Sequence, residues 1–445
     1  MPLHLPASPA RPLLRRLIAA GLKAADPYQA LLSTVSLSRQ SLQIRRRAYD
    51  LTRYDRVFVI GAGKASARMA QAVEHVLQTR LTAGLVVVKR GHAVPTKRIT
   101  VLEAGHPVPD QAGVRAAERL RTLIQELTPR DLLLVLLSGG ASSLLPAPAA
   151  GLTLADKQRT TQLLLRGGAT IQEINAVRKH LSVLKGGGLA LSTNATIVTL
   201  ILSDVIGDDI GTIGSGPTAP DPTTFADAIG VLQRYKIWRA VPASVRHHLL
   251  QGRSGAVPET LKRGGSRLRR VQHEIIGNNS GMLDAVTRAA EEAGIRSLLL
   301  SSPLMGEARE AAAQFARLAK LPRMETDVLR RPVCVVAGGE PTVTVTGRGK
   351  GGRAQEFAVA AAFAIAGLTN VWLAAMGSDG TDGPTDVAGA VISGETLARS
   401  RKIGVNLRSA LRQHDTYAAL KTLRCHIRTG PTGTNVNDLY LLLLL

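Results

Sequence analysis

The chain has 445 residues, a length that suits two or three domains, and 45% of them are hydrophobic, enough for sizeable cores. Only 3% are aromatic, so those cores must be built from Leu, Val, Ile and Ala. The 56 Lys and Arg against 33 Asp and Glu give a formal charge of +23, which favours anionic partners: nucleic acid or phosphorylated small molecules. The excess is arginine spread over presumed helix faces, at residues 45–47, 115–121 and 263–270. With no nucleic-acid motif and few aromatics to stack bases, it reads as surface composition, with no specific nucleic-acid partner. Cys334 and Cys425 show neither C-x-x-C spacing nor a His cluster, which argues against zinc and for a reducing compartment. No run reaches the roughly 18 apolar residues of a membrane span. Residues 441–445, all Leu, are expected as a buried terminal strand.

Residues 1–23 carry Arg11, Arg15, Arg16 and Lys23 with no acidic residue before Asp26, a composition similar to a transit peptide. The same residues also continue as an amphipathic helix, and we expect the opening helix of a cytoplasmic protein. A strand at residues 57–60 then runs into a tight turn, Gly61-x-Gly63, and a helix of 3.6 period. Ser66 replaces the third glycine of a dinucleotide fingerprint, and Lys89 and Arg90 stand where an acidic residue would read a ribose. NAD is therefore poorly supported, and NADP is left barely open. The P-loop spacing is not met around Lys64, which is expected in the first helical turn, where an anion is favoured. His106, in a His-Pro-x-Pro-Asp loop before a helix starting near Gln111, is a general base, a substrate ligand or a turn residue; spacing does not decide.

The apolar run 132–137 feeds Ser138, Gly139, Gly140, Ala141, Ser142 and Ser143, small donors at a strand's carboxyl end that suit phosphate or carboxylate. It does not fit a G-x-S-x-G nucleophile elbow. A helical layer follows, carrying Asn175, Arg178, Lys179, His180 and Lys185, with Asn175, Arg178 and Lys185 near one face. The strand 197–202 delivers Ser203 and Asp204, then Asp208, Asp209 and Gly214-Ser215-Gly216-Pro217-Thr218. These carboxylates can hold Mg²⁺, take a hydroxyl proton, or cap the next helix. Turn-rich residues 252–270 read as a boundary, after which Asn278 and Asn279 lie in a turn between strand and helix. Two apolar strands, 333–337 and 371–376, precede polar turns. The first leads through an alternating segment, 342–346, into the loop 347–353 with four glycines, two arginines and a lysine. We expect a phosphate-cradling nest that uses the positive φ open to glycine. The second turn holds Asp379, Asp382 and Asp386. Cations beside one turn and carboxylates beside the next suit phosphate plus Mg²⁺.

The segments GAGKA, GHPVPD, INAVRKHLSVLKGG, SGPTAPDPTT, GGEPTVTVTG, GRGKGGRAQE, GSDGTDGPTD and TGPTGTNVNDL occur in this order. Together they resemble the glycerate 2-kinase family, whose C-terminal part is known as the MOFRL module. The resemblance implies transfer of phosphate from ATP, with Mg²⁺, to D-glycerate, giving 2-phosphoglycerate. It implies two α/β domains with mostly parallel sheets: residues 1–255, Rossmann-like, and 256–445, with the MOFRL module at about 332–440. The active site is expected in the cleft between them, in a monomer or homodimer. Lys64, Arg353 and Asp208 are the expected catalytic residues, and Asp204 and Asp379 the expected metal ligands. Gly61, Gly63, Ser138, Gly139, Gly140, Ser142, Gly214, Ser215, Gly216, Thr218, Gly349, Gly351 and Gly352 are expected around the nucleotide. Three departures stand out: Ala354 where the family commonly has Asn, a basicity unlike most members, and the leucine run in place of a mixed apolar ending. The alternatives are an NAD(P)H-dependent hydroxypyruvate reductase and a basic nucleic-acid-binding protein.

Overall fold

The computed structural model describes residues 3–320 and 331–445. They fall into two compact units, Pro27–Ile276, and Met1–Asp26 together with Gly277–Leu445. The expected division after residue 255 thus lies inside the first unit, ahead of its last strand. The opening helix, Arg11–Ala24, belongs to the second unit. The reason is local packing: a methyl group on Gly21 would come within 2.8 Å of Val286 in the helix Asn279–Glu291.

The first unit begins with an antiparallel meander, β1 (Val35–Ser38), β2 (Ser41–Ile44) and β3 (Arg47–Asp50). Its main sheet comprises β4 (Arg56–Ala62), β5 (Leu81–Lys89), β6 (Ile99–Ala104), β7 (Asp131–Leu137), β8 (Thr196–Leu202) and β9 (Val271–Gly277). They lie side by side in the order β6-β5-β4-β7-β8-β9. The pairings β5–β6, β4–β5, β4–β7 and β7–β8 are all parallel. β7 is buried at all seven positions, which its unbroken Leu/Val run requires of a central strand covered on both faces. Its first residue, Asp131, is buried yet satisfied: Arg56 grips it with two hydrogen bonds of 2.9 Å from the head of β4. The strand order reverses between β4 and β7, and at such a switch point the loops beyond the carboxyl ends part to leave a crevice.

The second unit is built on β10 (Arg296–Leu299), β11 (Val333–Gly339), β12 (Val371–Gly377), β13 (Gly389–Ser393), β14 (His426–Ile427) and β15 (Asp438–Leu444), ordered β10-β11-β15-β12-β13-β14. This sheet is mixed, which corrects the expectation of mostly parallel strands. Among the described strands only β10–β11 pairs in parallel; the final strand β15 inserts antiparallel between β11 and β12, and β13 and β14 add antiparallel pairs at the edge. The leucine run forms that strand as far as Leu444 and is buried there as expected, while Leu445 lies beyond it and is partly exposed. Since β15 opposes both neighbours, β11 and β12 run the same way, and Asp438 sits level with Gly339 and Gly377 at their carboxyl ends. Tyr440 packs on Phe357 at 4.3 Å between ring centres, against an alanine-lined helix, Arg353–Ala364. Among the described residues, no helix is long and apolar enough to cross a membrane.

Candidate active site

In the first unit the switch-point turns converge. The β4 turn is pinned to the β7 turn by three hydrogen bonds: Lys64 N to Gly139 O at 2.9 Å, Ser138 N to Ala62 O at 3.2 Å, and Ala65 N to the Ser138 hydroxyl at 3.0 Å. Lys64 therefore lies in the turn ahead of the helix Ser66–Leu77, rather than in its first turn as expected. Gly63 takes φ +140°, and any side chain there would strike Ser138. Gly139 lies directly against a carboxylate: a methyl group on it would stand 2.1 Å from Asp204 Oδ2, beyond β8. A methyl group on Gly140 would meet His106 Cδ2 at 2.8 Å and Lys64 Cγ at 3.6 Å. Lys64, His106, Gly139, Gly140 and Asp204 thus form one cluster. The amides of Gly139 and Gly140 donate to no group among the described residues, so they remain available to an anion.

His106 is partly buried with Lys64, Lys89 and His92 around it. Burial first, then these charges, push its pKa down to about 4. Unfolded, its imidazole would take up a proton near pH 6.5, whereas the folded protein holds it neutral, so stability falls as pH drops from about 6.5 towards about 4. An NMR titration of the His106 ring should show the neutral form throughout the physiological range. A midpoint near 6.5 would contradict this environment.

A second group lies beside the first. Ser142 and Ser215 place their hydroxyls 2.9 Å apart, Ser215 donates to Asn175 Oδ1 at 3.1 Å, and Lys185 donates to Ser142 Oγ at 3.0 Å and to its carbonyl at 2.7 Å. Gly214, Ser215 and Gly216 form a positive-φ turn, at +60°, +63° and +61°. Lys185 is not helical, since its helix, Ile171–His180, ends earlier, but the chain folds back and restores the expected neighbourhood with Asn175.

Gly61 and Thr218 do not join the cluster. Gly61 is inside β4, where a methyl group would lie 2.4 Å from Leu136 O, so its glycine serves strand packing. The Thr218 hydroxyl is buried between Thr199 at 2.9 Å and His273 at 3.0 Å. Asp208 sits at φ +55° in the loop beyond β8, its amide bonded to Val205 O, while its neighbour Asp209 caps a turn through Gly211 and Thr212. Arg90, which together with Lys89 left NADP barely open, is ion-paired with Asp110.

In the second unit, Arg353 opens its helix and reaches across to the head of β15. Its Nε and Nη2 donate to Asp438 at 2.7 and 3.0 Å, and Nη1 donates to Glu340 at 2.8 Å. Asp438 also accepts from the Tyr440 hydroxyl at 2.9 Å. Burial pushes the Asp438 carboxyl up to about 7, with Arg353 pulling the other way. Burial opposes the charge on Arg353 too, but Asp438 and Glu340 outweigh it and raise its pKa. The bidentate geometry is that of an ion pair, and it leaves two of the five guanidinium N–H donors for a ligand.

The loop 347–353 corrects the sequence expectation most clearly. None of its glycines has positive φ. The Gly349 amide is spent on Gln413 O at 2.8 Å and the Lys350 amide on Asp415 at 3.2 Å. Gly351 and Gly352 are small because other chains press on them: a methyl group would stand 2.2 Å from Thr416 Oγ1 or 2.4 Å from Asp382. Asp382 is a cap, accepting from the amides of Ala354 at 3.0 Å and Gln355 at 2.8 Å, although burial raises its pKa. Ala354 is fully buried, and the cap uses only its backbone. Asp379 Oδ1 accepts from the amide and hydroxyl of Thr381, and hydrogen bonds from Tyr417 and Arg428 draw Asp386 down to about 2. Among the described residues no group of three or more His, Cys, Asp or Glu is arranged to hold a metal alone.

Sequence reasoning missed the partners of Arg353. Glu340 and Asp438 lie 13 and 85 positions away, and only the unbroken apolar run after Asp438 hinted that it heads a buried strand.

Residues 13–250 match the family described as a domain of unknown function, DUF4147, and residues 333–438 match the MOFRL family. The chain is 40% identical to a glycerate 2-kinase of Pyrococcus horikoshii, with 95% of each chain covered. It is 43% identical to a putative hydroxypyruvate reductase of Agrobacterium vitis, over 98% of this chain and 94% of that one. The crystal structure of a glycerate kinase from Thermotoga maritima superposes with a TM-score of 0.87 at 38% identity, covering 98% of this chain and 99% of that one.

Proposed function

We propose a mechanism from one premise: the chain belongs to the glycerate kinase family with DUF4147 and MOFRL domains, and it is a glycerate 2-kinase, a phosphotransferase acting on D-glycerate. The observation that carries the mechanism is the convergence of Lys64, Asp204 and the unspent amides of Gly139 and Gly140 at the switch point of the parallel sheet. Phosphoryl transfer needs positioning and charge neutralisation more than covalent help from the protein. The Gly139 and Gly140 amides hold phosphate oxygens of ATP, and Lys64 neutralises the phosphoryl group in transit. The C2 hydroxyl oxygen of glycerate forms a bond to the γ-phosphorus as the bond to the β–γ bridging oxygen breaks. Asp208 orients that hydroxyl and receives its proton. Arg353, fixed by Asp438 and Glu340, offers its two remaining donors to the glycerate carboxylate.

Mg²⁺ fits this donor set, because it is ordinarily held by one or two carboxylates together with substrate phosphates, and Asp204 beside Gly139 is so placed. Asp204 would hold it together with the substrate phosphates, and it would supply positive charge to offset theirs. Two free, buried cysteines support a reducing, cytoplasmic setting. The function is tested by ADP release from ATP with and without D-glycerate, beside a control with NADPH and hydroxypyruvate. Glycerate-dependent ADP release is expected. NADPH consumption without it would favour the reductase name that two of the relatives carry.

A further inference from the structure

The helix Ile171–His180 carries two adjacent cations with opposite surroundings. Lys179 is buried and paired with Asp221 at 3.1 Å. Arg178, partly buried, has no hydrogen bond or ion pair among the described residues. Two further cations gather around it. Lys157 is 7% exposed, and its ammonium is 2.8 Å from the Leu181 carbonyl; Lys185 is 4% exposed and bound to Ser142. No carboxylate pairs with any of the three among the described residues. Asn175, one turn before Arg178 on the same face, is joined through Ser215 to Ser142, two residues beyond Gly140. Three cations withdrawn from water without a counter-charge are costly, and a guanidinium cannot shed its proton to escape. Burial and the neighbouring cations push Lys157 down to about 7 and Lys185 well below its ordinary value. Such a constellation is complete only when an anion enters it.

We infer that Arg178, Lys157 and Lys185 form an anion subsite that takes an oxyanion of the substrate pair, either the glycerate carboxylate or an ATP phosphate. The inference rests on the kinase reading and extends it to residues outside the Lys64 cluster.

The test compares Michaelis constants for D-glycerate and ATP in the wild type and Arg178→Gln, with melting temperatures measured without substrate. One constant should rise roughly 10- to 100-fold, the scale of one charge-assisted hydrogen bond. A rise for D-glycerate identifies the carboxylate as the bound group, and a rise for ATP identifies a phosphate. The melting temperature should hold or increase, because an unpaired charge has been removed, whereas loss of a merely structural arginine would lower it. Unchanged Michaelis constants for both substrates would overturn the subsite. If the wild type itself releases no glycerate-dependent ADP, the kinase reading fails separately. The subsite is then read from inorganic phosphate, which should raise the melting temperature of the wild type but not of the variant; equal shifts would overturn it. Should Arg178→Gln not fold, Lys185→Met is read by the same criteria.

Discussion

Lys64→Ala should lower kcat for D-glycerate phosphorylation by at least about 10³-fold, the scale on which single cations act in phosphoryl transfer. The fold should survive. The Lys64 backbone holds the β4 turn to the β7 turn through Gly139 O, and alanine keeps that hydrogen bond. The side chain itself is only partly buried, beside Gly140 and His106. The melting temperature should therefore stay within a few degrees of the wild type while turnover collapses. Near-normal turnover would remove Lys64 from the chemistry and leave the Gly139 and Gly140 amides as the main phosphate contact of this unit.

Arg353→Lys should be nearly as severe, with kcat/KM falling by about 10²-fold or more, because a point charge cannot replace a planar fork. Arg353 satisfies Asp438 with two donors and Glu340 with a third before it meets a substrate. A lysine ammonium has three donors and a different reach, so it cannot bind both carboxylates in this geometry and still face glycerate. Stability should also drop by on the order of 3 kcal/mol, since Asp438 is buried and loses its bidentate partner. Steady-state kinetics beside urea denaturation separate the two effects. Wild-type kcat/KM in a folded Arg353→Lys protein would reduce Arg353 to a plain charge.

Much of the first unit was legible because its strands advertise themselves. Residues 132–137 and 197–202 are unbroken apolar runs that only a doubly covered parallel sheet accommodates, and small or acidic residues follow each at once. That pattern located Ser138, Gly139, Gly140 and Asp204 correctly beyond strand ends. The meander β1–β3 was not legible: its turns place Arg39 and Arg45 at φ +53° and +49°, where glycine or asparagine would have announced a hairpin.

The second unit was harder for physical reasons. A leucine run shows burial but not direction, and the antiparallel insertion of β15 helps make the sheet mixed rather than parallel. It also carries Asp438 to Arg353 across 85 positions, a pairing without a local sequence signal. Glycine is ambiguous in a similar way. It can supply positive φ, as at Gly140, or simply lack a side chain where backbones touch, as at Gly352 against Asp382. The same letters in 347–353 suggested a phosphate nest, and packing turned out to be the reason. Thr218 carries the parallel lesson for polar residues, since its hydroxyl satisfies Thr199 and His273 in the interior.

The most direct test of the account is the identity of the product that the wild-type protein forms from ATP and D-glycerate, read by phosphorus and carbon NMR. The expected product is 2-phosphoglycerate, with phosphorus coupled to C2 and ADP formed in equal amount. A product phosphorylated at C3 would contradict the proposed role of the C2 hydroxyl as the attacking group, and absence of any phosphorylated glycerate would contradict the kinase reading itself.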